Sequence, residues 1–193
     1  MNTPVLDETA LLVAARNGDR AAFGALVRLY QRRAYAAAYS IVGNTEDALE
    51  IAQEAFVRAF RAMDRFDTKM PFYPWLYRII RNMCFNHLKR RQRRGEHSLD
   101  GMMATGFDLP CGERTPEEIA QFADLKRAIH EGMQGLTPDQ QEILRLRHFL
   151  EMSYNEIAEC LDIPAGTVMS RLHGARKSLR RLMEARQEGL VNI

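Results

Sequence analysis

The sequence predicts an all-α chain: two small helical domains joined by a flexible linker, the second built on a helix-turn-helix. Three observations carry this. Apolar residues recur at helical spacing in nearly every periodic segment, and the alternation and turn pairs that mark strands are absent. Ala, Leu, Arg, Glu and Gln dominate, all residues that lose little on entering a helix. A stretch without clear periodicity, holding Gly95, Gly101, Gly106, Pro110 and Gly112, separates two periodic regions. With 193 residues and 46% apolar composition, the chain can fill a core in each.

The first predicted helix runs from Glu8 to Arg16 and breaks at Asn17-Gly18. Asp19 is a suitable N-cap for a second, which ends near Gly43, a natural left-handed terminator. A third starts after Asn44-Thr45, with Glu46 and Asp47 in the first turn where the helix dipole favours acids, and continues to about Met63. Asp64 to Met70 reads as a loop. Pro71 and Pro74 fit only the first turn of the next helix, which runs to about Arg93. Beyond the linker, Thr115-Pro116-Glu117-Glu118, Thr137-Pro138-Asp139-Gln140 and Ser153-Tyr154-Asn155-Glu156 each pair a hydroxyl cap with Glu or Gln three residues later, and so open three helices. A last helix begins near Ala165 and runs to about Arg186. The expected organisation is a domain over 1–94, a linker over 95–114 and a second domain over 115–193.

Net charge is only +2, but its distribution is uneven. Thr68 to Gly95 holds no acid and eight bases, including Lys69, Arg78, Arg81, Lys89 and Arg90. Ala165 to Arg186 carries Arg171, Arg176, Lys177, Arg180, Arg181 and Arg186 against Glu184 alone. Thr45 to Asp67 is instead rich in Glu and Asp. Two basic blocks and one acidic block suit two polyanion contacts and a separate protein contact, or, more plainly, solvated helix faces. Cys84, Cys111 and Cys160 are scattered, which argues against a disulfide scaffold or a zinc site. The five histidines lie at no ligand spacing and no phosphate-cradling glycine loop is present, so neither a metal, a cofactor nor an enzymatic activity is expected. No signal-peptide pattern opens the chain, and no apolar run approaches the ~20 residues of a membrane span; a cytoplasmic protein without membrane insertion is expected.

Ser153 to Ser178 has the pattern of a helix-turn-helix. Ile157, Ala158 and Leu161 mark one helix, Asp162-Ile163-Pro164 the turn, and Val168, Leu172, Ala175 and Leu179 the inner face of the second. The other side offers Thr167, Met169, Ser170, Arg171, His173, Gly174, Arg176 and Lys177, short polar groups beside cations that suit a helix in a major groove. The plainer alternative is a helical hairpin with a basic solvent face. Here the chain resembles the extracytoplasmic-function (ECF) sigma factors. Met152-Ser153-Tyr154-Asn155-Glu156-Ile157-Ala158, followed by Ile163 to Leu172, is close to that family's promoter-distal domain, and the resemblance implies that these eight residues contact the −35 promoter element. The family often has Gly at the position of Asp162, Lys or Arg at Met169, and Arg at Gly174, so promoter preference does not carry over.

The first domain resembles the same family. Gly43-Asn44-Thr45-Glu46-Asp47-Ala48 and Gln53 to Phe60 are similar to the segment that docks on the polymerase clamp. Ala48, Ala52, Ala55 and Ala59 make a narrow inner stripe; Glu46, Asp47, Glu50, Gln53, Glu54 and Arg58 face outward, and Phe56 and Phe60 either pack inward or anchor the interface. Downstream, Phe66, Lys69, Phe72, Tyr73, Trp75, Arg78, Arg81, Asn82, Lys89 and Arg90 combine aromatics with cations, a mixture that stacks unpaired bases and holds phosphates. The alternative is that most of these rings are core, as Leu76, Ile79 and Ile80 are expected to be. The resemblance implies capture of a flipped −10 base by the loop before this helix. It also implies core RNA polymerase, through clamp and flap regions, promoter DNA and an anti-sigma factor as partners. A sigma mimic would show a degraded DNA face or a receiver domain, and a simple repressor would need neither the acidic face nor the aromatic loop.

Overall fold

The computed structural model describes residues 7–94 and 128–191, with side chains of the last helix described to Ala185. The linker, the cap at Thr115 and Cys111 lie outside these residues. The chain divides into two compact units, 1–97 and 98–193, and among the described residues there is no strand.

The first unit contains α1 (Glu8–Arg16), α2 (Arg20–Val42), α3 (Thr45–Arg61), a 3-10 turn (Met63–Arg65) and α4 (Phe72–Arg93). Asp7 caps α1 by accepting from the backbone N–H of Thr9 and Ala10, and Asp19 caps α2 through Ala21 and Ala22. Asn44 caps α3 through the N–H of Asp47. Each such cap contributes about 1 kcal/mol. Gly43 ends α2 at φ 79°, a conformation only glycine adopts without strain, which lets α3 turn back onto α2. Helix α2 is the hub, packed on α1, α3 and α4. Its Ala34, Ala37 and Ala38 are fully buried, as are Ala48, Ala55 and Ala59 of α3, and these small residues let the helices approach closely. Phe72, Leu76, Ile80 and Cys84, four residues apart, line the inner face of α4.

The second unit contains α5, helical over the described residues 128–134, then α6 (Pro138–His148), α7 (Tyr154–Leu161) and α8 (Ala165–Val191). Both expected capping boxes form: Thr137 with Gln140, and Ser153 with Glu156. Asp162 ends α7 at φ 56°, ψ 49°, the left-handed conformation that an Asp tolerates. Val168, Leu172 and Ala175 of α8 are buried against α6 and α7, with Ile143, Leu146, Met152, Ile157 and Cys160. Ala158 and Leu161, expected in this core, are only half-buried; Cys160 takes the inner position, its Sγ 3.8 Å from the Met152 sulfur. Gly132 permits close approach of α5 to α8, since a Cβ there would lie 2.8 Å from Leu179 Cδ1.

Candidate docking and nucleic-acid interfaces

Helix α3 buries its alanine stripe and presents the opposite side to solvent. Glu46, Glu50, Gln53 and Arg58 are exposed and Glu54 half-exposed. Arg58 Nε donates to Glu54 Oε1 at 3.0 Å, a solvent-exposed pair one turn apart. Phe56 is buried, which removes it from the docking face and leaves the inward reading: it follows Ala52 by one turn and belongs to the inner stripe. The apolar residues available on α3 are instead Leu49 (50% exposed), Val57 (42%) and Phe60 (38%), which with Gln53 recur at spacings of four, four and three along one strip. Phe60 is braced from beneath by Phe23, with ring centroids 5.0 Å apart. The phase of Val57, on the far side of the helix from Ala52 and Ala55, marks it as exposed in the sequence; Leu49, three residues before Ala52, lies at the flank of that stripe, and phase alone does not mark it.

Asp47 also departs from expectation. It is drawn toward α4, where its Oδ2 takes Arg91 Nη1 at 3.1 Å, lies 2.9 Å from His87 Nε2 and receives Asn44 Nδ2. The histidine contact is an ion-pair approach without a well-aligned hydrogen bond, so its contribution is electrostatic. Burial raises the Asp47 carboxyl pKa, but the Asn44 hydrogen bond and the charges of His87 and Arg91 outweigh it and hold the group below its ordinary value. The start of α3 thus meets the end of α4, and the two helices run antiparallel. Between them lies a groove of about 150 Å³ lined by Glu50, Ile51, Glu54, Arg58, Met83, Asn86, His87 and Arg90.

Three of the expected base-contacting rings are core. Phe66, Phe72 and Tyr73 are buried together with Tyr30. The Tyr73 hydroxyl donates to the Arg33 carbonyl at 3.2 Å, and the Arg33 guanidinium covers its ring at 3.8 Å. The physical reason is register: Phe72 and Tyr73 precede Leu76 and Tyr77 by one turn and share their inward side. Trp75 is half-buried, packed on Phe66 at 4.6 Å and Phe72 at 5.7 Å. Ile79, expected in the core, is only half-buried. The loop before α4 is held by Asp67, which accepts from Lys69 N through Oδ1 at 3.0 Å and from Met70 N through its carbonyl at 2.9 Å. Lys69 and Met70 of this turn are exposed. On α4 itself Asn82, Lys89 and Arg90 are exposed, and Arg78 and Arg81 half-exposed.

On α8, Met169, Ser170, Arg171, His173, Arg176 and Lys177 are exposed, and Thr167 and Gly174 half-buried. Ser170, His173 and Lys177, at spacings of three and four, lie opposite the buried Val168, Leu172 and Ala175. The Ser170 hydroxyl donates to Thr167 O at 3.0 Å. Arg176 reaches back to α6, where its Nε and Nη2 lie 3.4 and 3.3 Å from His148 Nε2. Burial, then the charges of Arg176 and Arg147, lower the His148 pKa and favour the neutral ring that accepts from Arg176. A Cβ at Gly174 would meet nothing within 4 Å, and beside it an open notch of about 280 Å³ is lined by Asp139, Gln140, Ile143, Arg171 and Ala175. Among the described residues, no group of three His, Cys, Asp or Glu could hold a metal ion, and no helix is long and apolar enough to cross a membrane.

Two family models match the chain in order: Sigma-70 region 2 over residues 26–94 and Sigma-70 region 4 over residues 126–179. Together with the helix-turn-helix, they define the class as a sigma-70-type subunit of RNA polymerase. The chain is similar to the ECF RNA polymerase sigma factor SigW of Bacillus subtilis, at 33% identity over 86% of this chain and 91% of that one. It is equally similar to the ECF sigma-E factor of Escherichia coli, at 33% identity over 90% and 93%. In fold it is similar to CnrH, solved in complex with the cytosolic domain of CnrY, with a TM-score of 0.61, 23% identity, and 92% and 97% of the two chains covered. The chain belongs to the extracytoplasmic-function sigma factors. It is a transcription regulator that binds core RNA polymerase and directs promoter-specific initiation.

Proposed function

We propose that the first domain, 1–94, docks on the polymerase clamp through the outer face of α3 and engages the −10 element through α4 and the loop before it. The second domain, 115–193, engages the −35 element through α8. The observation that carries this reading is the segregation of charge on the first unit: the outer face of α3 is acidic with exposed Leu49 and Val57, while 68–95 holds no acid at all. An acidic strip with apolar anchors suits a basic protein surface and repels phosphate; the acid-free helix beside it does the reverse. The docking set is Glu46, Glu50, Gln53, Glu54 and Arg58, with Leu49, Val57 and Phe60 as anchors and Asp47 as the residue that positions α3.

The −10 contacts are Lys69 and Met70 from the loop and Arg78, Arg81, Asn82, Lys89 and Arg90 from α4. Phe66, Phe72 and Tyr73 support them from beneath, and Trp75 lies between core and surface. The −35 contacts are Thr167, Met169, Ser170, Arg171, His173 and Lys177, with Arg176 gripping phosphate when released from His148. The protein works by binding and positioning, without catalysis of its own, in the cytoplasm beside its polymerase. Control by an anti-sigma factor is part of the proposal. The solved structures of similar fold include CnrH with CnrY and the RpoE–NepR complex from Bartonella quintana, and they supply the motive for it.

The test is transcription from a cognate promoter by core polymerase supplemented with this chain. Glu50→Lys with Glu54→Lys should lower association with core enzyme at least ten-fold, because placing like charges opposite one another costs several kcal/mol. Unchanged co-purification of this variant with core enzyme would remove α3 from the interface.

A further inference from the structure

We propose that Phe85 is a stacking platform for an unpaired base of promoter DNA, set in the middle of the basic face of α4. The proposal rests on the reading of that face as the −10 contact. Phe66, Phe72 and Tyr73, which the sequence offered for this work, are committed to the core, and Tyr77 is buried with them. Trp75 packs on Phe66 and Phe72. Phe85 is 36% exposed, on a helix whose other solvent-facing residues are cationic or amide.

Its position is specific. Arg78, Asn82, Phe85, Lys89 and Arg93 follow one another at spacings of four, three, four and four, so the ring sits within one continuous strip. The guanidinium of Arg81 lies over the ring, 5.1 Å from its centroid, so it covers one face and places a charge that can meet the phosphate of a base stacked on the other. Asn82, one turn earlier, offers a donor and an acceptor to a base edge. An aromatic face flanked by cations and an amide, on a stretch without acids, is the pattern by which single strands are held. Leu49, Val57 and Phe60, exposed apolar residues grouped on one strip, are on α3 instead.

The experiment uses holoenzyme assembled from core polymerase and the full chain. The probe is fork-junction promoter DNA, unpaired through the −10 element, in a set where each unpaired nucleotide in turn is abasic. Loss of a base stack costs on the order of ten-fold in affinity. Phe85→Leu should weaken binding to the intact strand about that much, and Phe85→Tyr, which keeps a ring, should restore it. At one position the abasic probe should weaken the parent by the same factor and leave Phe85→Leu unaffected. Lys89→Ala should weaken every probe alike. If Phe85→Leu keeps the parent's abasic profile, or loses affinity equally on all probes, the stack is refuted. If it loses core polymerase, the ring is a protein contact and the proposal fails. If Arg78→Ala and Lys89→Ala leave binding of the unpaired strand unchanged, the underlying reading of α4 fails instead, a result distinct from failure at Phe85 alone.

Discussion

Replacing Asp47 by Asn keeps the shape of the side chain and removes its charge, and so isolates the tie between α3 and α4. The carboxylate meets Arg91 at 3.1 Å and His87 at 2.9 Å with side chains only 21–28% exposed. It also stands in the first turn of α3, where a negative charge faces the helix dipole. Exposed pairs contribute about 0.2–1 kcal/mol and a first-turn carboxylate about 0.3–1 kcal/mol. Partial burial favours the upper ends, so Asp47→Asn should destabilise the first unit by about 2 kcal/mol, which for a domain of under 100 residues lowers Tm by roughly 8–16 °C. Trp75 is the chain's single tryptophan and packs in this unit's aromatic cluster, so its fluorescence in a urea titration reports this unit alone.

The pH dependence gives the same reasoning a second test. The carboxyl pKa is lowered in the folded state, so its stabilisation is fully present above the unfolded value near 3.8 and is lost as pH falls through the lower folded value. The Arg91 share is constant across neutral pH, whereas the His87 share requires a protonated ring. The gap between parent and variant should therefore persist from pH 8 down to the carboxylate range and close below it. A variant as stable as the parent at pH 7, or a gap unchanged well below pH 3.8, would refute the electrostatic account.

Phe72→Ala should cost about 3–5 kcal/mol, because it deletes a fully buried ring. The loss should register as reduced urea stability of the first unit in the free protein, before any promoter is opened; a fully stable variant would return the ring to the DNA surface. Gly174→Arg should not destabilise the second unit and should raise its stability by up to about 1 kcal/mol, since open space surrounds the position and an arginine is a better helix former than glycine. Combined with Met169→Arg, it should change the upstream element recovered from randomised promoters; the same element for parent and double variant would remove both positions from the reading surface.

Local rules were legible in the sequence. The caps at Asp19, Thr137 and Ser153, the terminator Gly43 and the turn at Asp162 each depend on a few neighbouring residues, and the helix starts and stops beside them followed from them. The alanine stripe of α3 was legible because four small residues at one phase have no better explanation than close packing. Phe72 and Tyr73 were read as candidates for DNA although the signal against it was present: Leu76 and Ile80 were already assigned to the core, and one turn back from Leu76 is Phe72. The Asp47 tie was not legible, because its partners lie 40 and 44 positions away and nothing local in Asn86-His87-Leu88 or Arg90-Arg91-Gln92 marks which cation turns toward α3. The exposure of Phe85 is of the same kind, since its meaning depends on knowing which other rings are buried.

Segregated charge on an antiparallel helix pair also bears on how the first unit would be used under the proposed docking. Were α3 and α4 free to shift against each other, the acids of α3 would be drawn to the nearby cations of α4, and both faces would be neutralised within the unit. Among the described residues, Asp47 takes His87 and Arg91 across the helix pair at one end, and Glu54 pairs with Arg58 of its own helix. Glu46 and Glu50 on one helix, and Lys89 and Arg90 on the other, stay exposed to solvent. The Asp47 tie thus uses one acid to fix the register that keeps the others apart. Under the proposed docking, DNA approaching α3 would meet repulsion and a basic protein approaching α4 would meet the same, so wrong-way docking would be opposed at both faces. Asp47 acts in this scheme from within the unit: its removal should loosen the geometry that serves both partners, whereas reversal of Glu50 and Glu54 should affect the protein partner alone.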